Sequence, residues 1–305
     1  MPRPEDVKVE IRNKLNNQYK KLVKTLGRMR ATSLTRYQEL VQDVLKESLD
    51  STEKTVKNWL NKEIRDEAKK GTLSAESKTP PDKRKKIKTA IAARVAKSKA
   101  SQAYIEIDNR ARQAYKQVWQ EVNSEIESAK GLKTVKEVQK SISTKLAERG
   151  VLEVRYTDGT VRPLDAYAEM VSRTSRTQTF NRAALEYAAD TTDLVECTTI
   201  FPTCEICIKF QGRVYSISGN DKRFPALYDT ALAAGFEAIH PNCRHQFLPY
   251  HEELDQPRER AVKEEISNKP FEDNRTEHNR RQYAEWQADN AKKAERRRQD
   301  IEDAV

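Results

Sequence analysis

Apolar side chains in the first 150 residues recur at steps of three and four over long distances, which confines this part of the chain to helices with narrow buried stripes. Ile11, Leu15, Tyr19, Leu22, Leu26 and Met29 form a heptad-like seam. After Thr32 and Ser33 a similar stripe resumes with Leu34, Tyr37, Val41, Leu45 and Leu49, and Val56, Leu60 and Ile64 carry it on. One long kinked helix fits this pattern, and so do separate helices, the last opening at Asp50 or Ser51 as a cap. Either way the seam is too narrow for a helix buried all round, so it must meet another helix. Only 36% of residues are hydrophobic and 34% are charged, against typical values of about 45–50% and about 25%. Eight glycines in 305 residues leave little punctuation for a many-stranded fold.

Residues 71–82, GTLSAESKTPPD, read as a linker, because glycine and a Pro-Pro pair interrupt a helix. The next helix opens on KRKKIKTAIAARVAKSK, in which residues 83–99 hold eight Lys or Arg and no acid. Lys83, Arg84, Lys85, Lys86, Lys88, Arg94, Lys97 and Lys99 are therefore the candidate patch for contact with phosphates. The same block reads equally well as a solvated helix face or loop. No aromatic residue interleaves it, so stacking on single-stranded bases is not indicated. The formal charge of +10 suits an acidic partner, with nucleic acid the commonest. The helical pattern then runs through Ala111, Tyr115, Val118, Val122 and Ile126 to Gly131. A shorter helix with Val135, Val138, Ile142 and Leu146 ends at Gly150, a natural C-cap.

At residue 151 the character changes. VLEVRY, TDGT and VRPL predict a β-hairpin turned at Asp158-Gly159. Residues 164–190 predict a helix, LVECTTI and GRVYSI two strands, residues 225–236 a short helix and residues 244–250 a closing strand. The expected fold class is α+β: an elongated helical region over residues 1–150, a compact α+β domain over 151–250, and a charged tail over 251–305. The tail is helix-compatible but poor in apolar anchors beyond Tyr283 and Trp286, so it is expected to be a solvated or partly disordered helix.

Cys204 and Cys207 are two residues apart, and His240 and Cys243 repeat that spacing after an intervening strand and helix. One turn can present two ligands to one ion, so the four together describe a closed Cys₃His zinc site of structural type, with His245 as the competing ligand. The intervening Pro241 and Asn242 suit a tight turn. Buried thiols and a redox-active Cys-x-x-Cys pair are the other readings, and Cys197 in its apolar strand is expected to be core. Four cysteines without a disulfide framework, and an N-terminus without a signal-like apolar segment, point to a reducing compartment. No apolar run approaches the roughly 20 residues that span a bilayer, so no membrane role is expected.

The order and spacing of YTDGTVRPLDAYAEMVSRTSRTQTFNRAALEYA, TCEICIKFQGRVYSISG, RFPALYDT and HPNCRHQFLPY resemble the phage minor capsid protein 2 family and, more distantly, Mu-type head morphogenesis proteins. The resemblance covers residues 155–250. It implies a non-enzymatic minor head protein of a tailed bacteriophage, made in the host cytoplasm and carried in the virion. Its implied partners are the portal or the major capsid protein, close to packaged DNA. Arg173, Thr174, Asn181 and Ala184 match positions of the family's motif and are read as helix packing and buried hydrogen bonds. Two enzymatic alternatives have less support. His240, Asn242 and His245 loosely echo a His-Asn-His nuclease, but one histidine would have to be both ligand and base. An ADP-ribosyltransferase-like toxin domain needs a Glu-x-Glu or Gln-x-Glu pair, whereas the nearby acids are the adjacent Glu252 and Glu253.

Overall fold

The structure, a computed structural model, describes residues 4–302 except Phe236 and Asn242. Two helices, α1 (Pro4–Arg28) and α2 (Leu34–Ser77), lead into α3 (Lys88–Ala129) and α4 (Val135–Arg149). A hairpin of β1 (Glu153–Arg155) and β2 (Val161–Pro163) precedes α5 (Leu164–Ala188). Strands β3 (Leu194–Cys197), β4 (Val214–Ser216) and β5 (Phe247–Pro249) follow, and α6 (Pro257–Ser267) and α7 (Glu277–Glu302) close the described chain. The expected class, long helices followed by an α+β region, is the one observed. The chain gathers into two compact units, one of Met1–Leu60, Ala103–Val171 and Lys292–Val305, the other of Asn61–Gln102 and Ser172–Ala291.

In the first unit the predicted stripes meet one another. Tyr19, Leu22 and Leu26 of α1 share a core with Tyr37, Val41 and Leu45 of α2, Tyr115, Val118, Val122 and Ile126 of α3, and Val138, Ile142 and Leu146 of α4. The Tyr19 hydroxyl donates to the Leu146 carbonyl at 2.8 Å, which satisfies its polar end inside that core. Helix α4 starts at a Thr134–Glu137 capping box and stops at Gly150, whose φ of 71° is the left-handed cap expected from sequence. At the α1–α2 break the Ser33 hydroxyl accepts from the Arg36 N–H at 3.1 Å. Asp50 and Ser51 cap nothing, since α2 runs through them unbroken. The hairpin pairs as expected, but its loop spans residues 156–160 rather than a two-residue turn. Asp158 Oδ1 accepts from the Thr160 N–H at 2.9 Å, and Gly159 takes the positive φ.

The second unit corrects the linker expectation. Residues 71–77 continue α2, and the turn lies between Ser77 and Lys88, where Pro80 and Pro81 stop the helix. Gly71 is not a breaker here. A Cβ at that position would lie 2.4 Å from the Phe180 carbonyl oxygen and 3.1 Å from Ala183 Cβ, so glycine is what lets α2 pass the backbone of α5. Arg176 of α5 donates to Glu67 of α2 at 2.6 Å beside this crossing. The basic stretch also starts its helix later than expected, at Lys88.

Strand β3 is the centre of an antiparallel sheet ordered β4-β3-β5, with Val195 opposite Tyr215 on one side and Pro249 on the other. The helix expected over 225–236 is instead a 3-10 turn at Leu227–Asp229 followed by further turns, with Phe236 outside the described residues. Leu227, Ala231 and Leu232 are buried with the sheet, so their burial is met by turns rather than by a helical stripe.

The start of the tail is bound rather than solvated. The Ser267 hydroxyl accepts from the Val214 N–H at 2.9 Å, which with the Ser216 N–H donated to the Pro225 carbonyl at 3.0 Å satisfies the outer edge of β4. The Arg213 guanidinium donates to the carbonyls of Ser267 at 3.1 Å and Pro270 at 2.8 Å, and also to that of Lys269. Phe271 is the apolar anchor not recognised from sequence: its ring stands 5.5 Å from that of Phe210 and under Arg213.

Gly71→Ala separates packing from propensity. Alanine is the better helix former by about 1 kcal/mol, yet overpacking against backbone costs about 1–3 kcal/mol. The variant is expected to unfold at lower urea concentration than the wild type, and unchanged or higher stability would show that the close approach does not constrain α2.

Candidate metal centre

Two short loops carry the predicted ligands, and each is shaped by its own hydrogen bonds. Behind β3, the Cys207 N–H points at Cys204 Sγ at 3.4 Å, while Phe210 and Gln211 donate to the Cys207 carbonyl at 2.9 and 3.1 Å. Gly212, at φ 70°, returns the chain to β3 by donating to the Cys197 carbonyl at 2.8 Å. In the second loop the Cys243 N–H donates to the His240 carbonyl at 3.1 Å, and the His245 N–H points at Cys243 Sγ at 3.4 Å. Asn242, assigned to this turn from the sequence, lies outside the described residues.

The strand pairing of β3 with β5 brings the loops together. His240 Nε2 lies 3.2 Å from Cys204 Sγ and 3.0 Å from Cys207 Sγ. Cys207 Sγ lies 3.7 Å from Cys243 Sγ, and Cys243 Sγ lies 3.6 Å from His245 Nδ1. The donors form two triads, Cys204–Cys207–His240 and Cys207–Cys243–His245, sharing the Cys207 sulfur. Cys207, Cys243 and His245 are buried, while Cys204 and His240 are half-buried. Cys197 is wholly buried in the sheet core beneath, as expected, and burial pushes its thiol pKa up.

The two imidazoles are set up alike. His240 Nδ1 is 2.6 Å from the Pro241 carbonyl oxygen, and His245 Nε2 is 2.8 Å from Gln211 Oε1. Each outer nitrogen faces an oxygen acceptor and donates its N–H there, which turns the inner nitrogen toward sulfur. That is the outer partnership a ligating histidine normally has. Helix α5 fixes the second loop from behind. The Thr177 hydroxyl donates to the Cys243 carbonyl at 2.8 Å. One turn on, the fully buried Asn181 donates to the carbonyls of Glu237 at 2.9 Å and His245 at 3.1 Å and accepts from the Phe247 N–H at 3.2 Å. Thr177 and Gln211 were not picked out from sequence. The signal for the pair on α5 was two polar residues four apart on a face that is otherwise core.

Crowding splits the sulfurs' protonation. Cys204 is drawn down to about 3, first by its hydrogen bond with Cys207 and then by His240. Cys243 is drawn down to about 4, first by Cys207 and then by His245. Cys207, between two sulfurs that favour the anion, is driven upward, first by Cys204. His240 is raised, first by its bond to Cys204. Such a site favours a cation, and its chemistry fits one: soft thiolate and imidazole donors, oriented imidazoles, and a sulfur separation of 3.7 Å, close to the edge of about 3.8 Å that two bonds of about 2.3 Å make in a tetrahedron. Cys204, Cys207 and Cys243 with one imidazole would hold the ion, which would supply the positive charge that lets three thiolates lie side by side.

The predicted basic patch is only partly free. Lys88 pairs with Glu76 at 2.6 Å, Arg94 with Glu186 at 2.6 Å and Lys99 with Glu237 at 2.7 Å; Lys83 pairs with Glu253. Arg84 Nε donates to the Thr79 carbonyl at 3.1 Å. Lys85, Lys86 and Lys97 have no carboxylate partner among the described residues. On the other side of the cluster, Tyr283 and Trp286 of α7 stack at 5.7 Å, and Arg244 lies over Trp286 at 4.9 Å, so the tail aromatics meet this chain's own second loop.

Asn181→Ala removes three hydrogen bonds and leaves two buried carbonyls and one N–H without their partner. At about 1–3 kcal/mol for a buried group left unsatisfied, the variant is expected to lose about 3 kcal/mol of stability by urea denaturation. A loss under about 1 kcal/mol would show that α5 does not hold the second loop.

No helix among the described residues is long and apolar enough to cross a membrane. No curated protein and no solved structure matches the chain. The family model described as phage minor capsid protein 2 matches residues 8–304, nearly the whole chain and well beyond the 155–250 segment whose motifs suggested it. The chain therefore belongs to the phage minor capsid protein 2 family.

Proposed function

We propose that this chain is a structural component of a tailed-phage head, docked at the portal or the inner capsid surface close to packaged DNA, and that zinc clasps its α+β region. The observation that carries the reading is the family match over residues 8–304, which spans the long helices, the Cys/His cluster and most of the tail together. It is made in the host cytoplasm and enters the virion. The cluster serves stability rather than turnover. Its sulfurs belong to the core of the sheet region, and each imidazole's inner nitrogen, the one that could act as a base, faces a cysteine sulfur at 3.0–3.6 Å rather than an open approach for a phosphodiester. Zinc is the metal favoured by thiolate and imidazole donors, and structural zinc contributes folding energy of about 10–16 kcal/mol in small domains.

Gradient-purified proheads and mature heads are expected to contain the protein in few copies per particle, measured by quantitative mass spectrometry. Its recovery only in the soluble fraction would overturn the assignment. Incubation with plasmid and Mg²⁺, Mn²⁺ or Zn²⁺ is expected to leave the DNA intact, and nicking abolished by His245→Ala would replace the structural reading with an enzymatic one.

Elemental analysis is expected to give about one zinc per chain. Cys207→Ser, which removes the sulfur shared by both triads, should lose that zinc and melt at a lower temperature. A wild-type protein that folds and melts identically with and without a chelator would sink the clasp.

A further inference from the structure

Folding neutralises much of the charge on residues 83–99 but leaves another positive surface intact. Residues 11–38 contain eight Lys or Arg and no Asp or Glu, a longer acid-free run than 83–99. Three of those cations are engaged. Arg12 is buried against Asp165 at 2.6 Å and Glu169 at 3.2 Å, Lys14 pairs with Glu10 at 2.8 Å, and Arg36 pairs with Glu39 at 2.7 Å. The other five, Lys20, Lys21, Lys24, Arg28 and Arg30, have no carboxylate partner among the described residues, and the first four of them lie on α1.

Their placement is regular. Lys20, Lys24 and Arg28 follow at four-residue steps on α1, about 6 Å apart along the axis, and Lys21 flanks them. With Asn17, Thr25 and Met29 they line a shallow recess of about 610 Å³ that no acidic side chain enters. The helix cannot turn these cations away, because Tyr19, Leu22 and Leu26 on its opposite face are fixed in the core of the first unit. Like charges at four-residue spacing destabilise a helix by about 0.2–0.5 kcal/mol per pair. Elsewhere this chain relieves such charges with acids, as in Lys145–Glu125 and Arg149–Glu121. On this face it does not.

An unrelieved row of cations whose only hydrophobic side chain in the recess is Met29 fits a polyanion better than an amphipathic protein helix, which needs several anchors for its apolar side. No aromatic lines the recess, so bases of a single strand would find nothing to stack on. We propose that the face of α1 formed by Lys20, Lys21, Lys24 and Arg28 is a sequence-independent contact for the phosphate backbone of double-stranded DNA. The choice of DNA as the polyanion rests on the proposed function, which this deepens by naming the surface.

The test is fluorescence anisotropy of a short labelled DNA duplex titrated with the full chain at several salt concentrations. Each phosphate contact adds about 0.9 to the slope of log affinity against log salt. Replacing Lys20, Lys21, Lys24 and Arg28 together by Gln is expected to weaken binding at least about tenfold and to lower that slope by up to about 3.6, with the circular-dichroism melt unchanged. Replacing Lys85, Lys86 and Lys97 by Gln is expected to change affinity by less than about threefold. The inference falls if the wild type does not bind duplex DNA at low salt. It falls equally if the α1 variant binds like the wild type, or if the Lys85, Lys86 and Lys97 variant loses more. Presence in proheads without DNA binding would overturn this inference alone. DNA binding by this face in a protein absent from heads would leave the contact standing and overturn the proposed function.

Discussion

Cys207 is buried between two other sulfurs, and a great deal of the second unit is arranged around the consequence. Three thiols packed into an apolar core cannot all ionise, because like charges at such distances repel strongly where water is excluded. Two imidazole nitrogens face the same sulfurs at 3.0 and 3.6 Å. The crowding acts unequally: hydrogen bonds with Cys207 favour the anion at Cys204 and Cys243, while the Cys207 thiol between them is pushed up. It is an arrangement that a soft cation completes. The sheet is small, with strands of three and four residues, so ligand placement cannot rely on long ladders. It relies on N–H groups aimed at sulfur and on side chains reaching in from α5.

Helix α5 is thus the reference against which both ends of the second unit are placed. Thr177 and Asn181 hold the loop that carries Cys243 and His245. Phe180 and Ala183, between and beside them, are the groups against which Gly71 lets α2 close. One helix therefore gauges a metal-type loop with its polar positions and a helix crossing with its backbone. The Arg176–Glu67 pair at the same crossing is fixed by hydrogen bonding rather than by exposure, which suits an arginine fork better than a lysine.

The parts of this fold that were legible in the sequence are those whose signal is local. The stripes of α1 to α4 and the Gly150 cap depend on neighbours within one or two turns, and the structure forms them where that logic does; the spacings of Cys204–Cys207 and His240–Cys243 are local too, and the fold brings the two pairs side by side. Gly71 was misread because its meaning depends on a carbonyl more than 100 positions away, on a different element. The turns after Pro225 were misread because Leu227, Ala231 and Leu232 have a spacing that a helix shares, whereas their burial is set by the sheet. Phe271 and Arg213 give no periodic signal at all, since a lone ring and a guanidinium that caps carbonyls are recognisable only once both are in place. The partner of each imidazole was hidden for the same reason. The acid-free run from residue 11 to residue 38 was in plain view, but charge alone does not tell which cations folding will neutralise.

The closure of the β4 edge by Ser267 has a consequence for how the chain is made. Strand β4 ends at Ser216, and although the Ser216 N–H is met by the Pro225 carbonyl at 3.0 Å, the outer Val214 N–H and the Arg213 guanidinium wait for residues 267–270. About 50 further residues must therefore leave the ribosome before that edge is sealed, and at about 5–20 residues per second the nascent sheet spends some seconds with an open side. That interval is when the edge is most open to pairing with the wrong neighbour. The segment through α6 that carries the tail back to β4 sets the length of that exposure as much as it straps the finished fold.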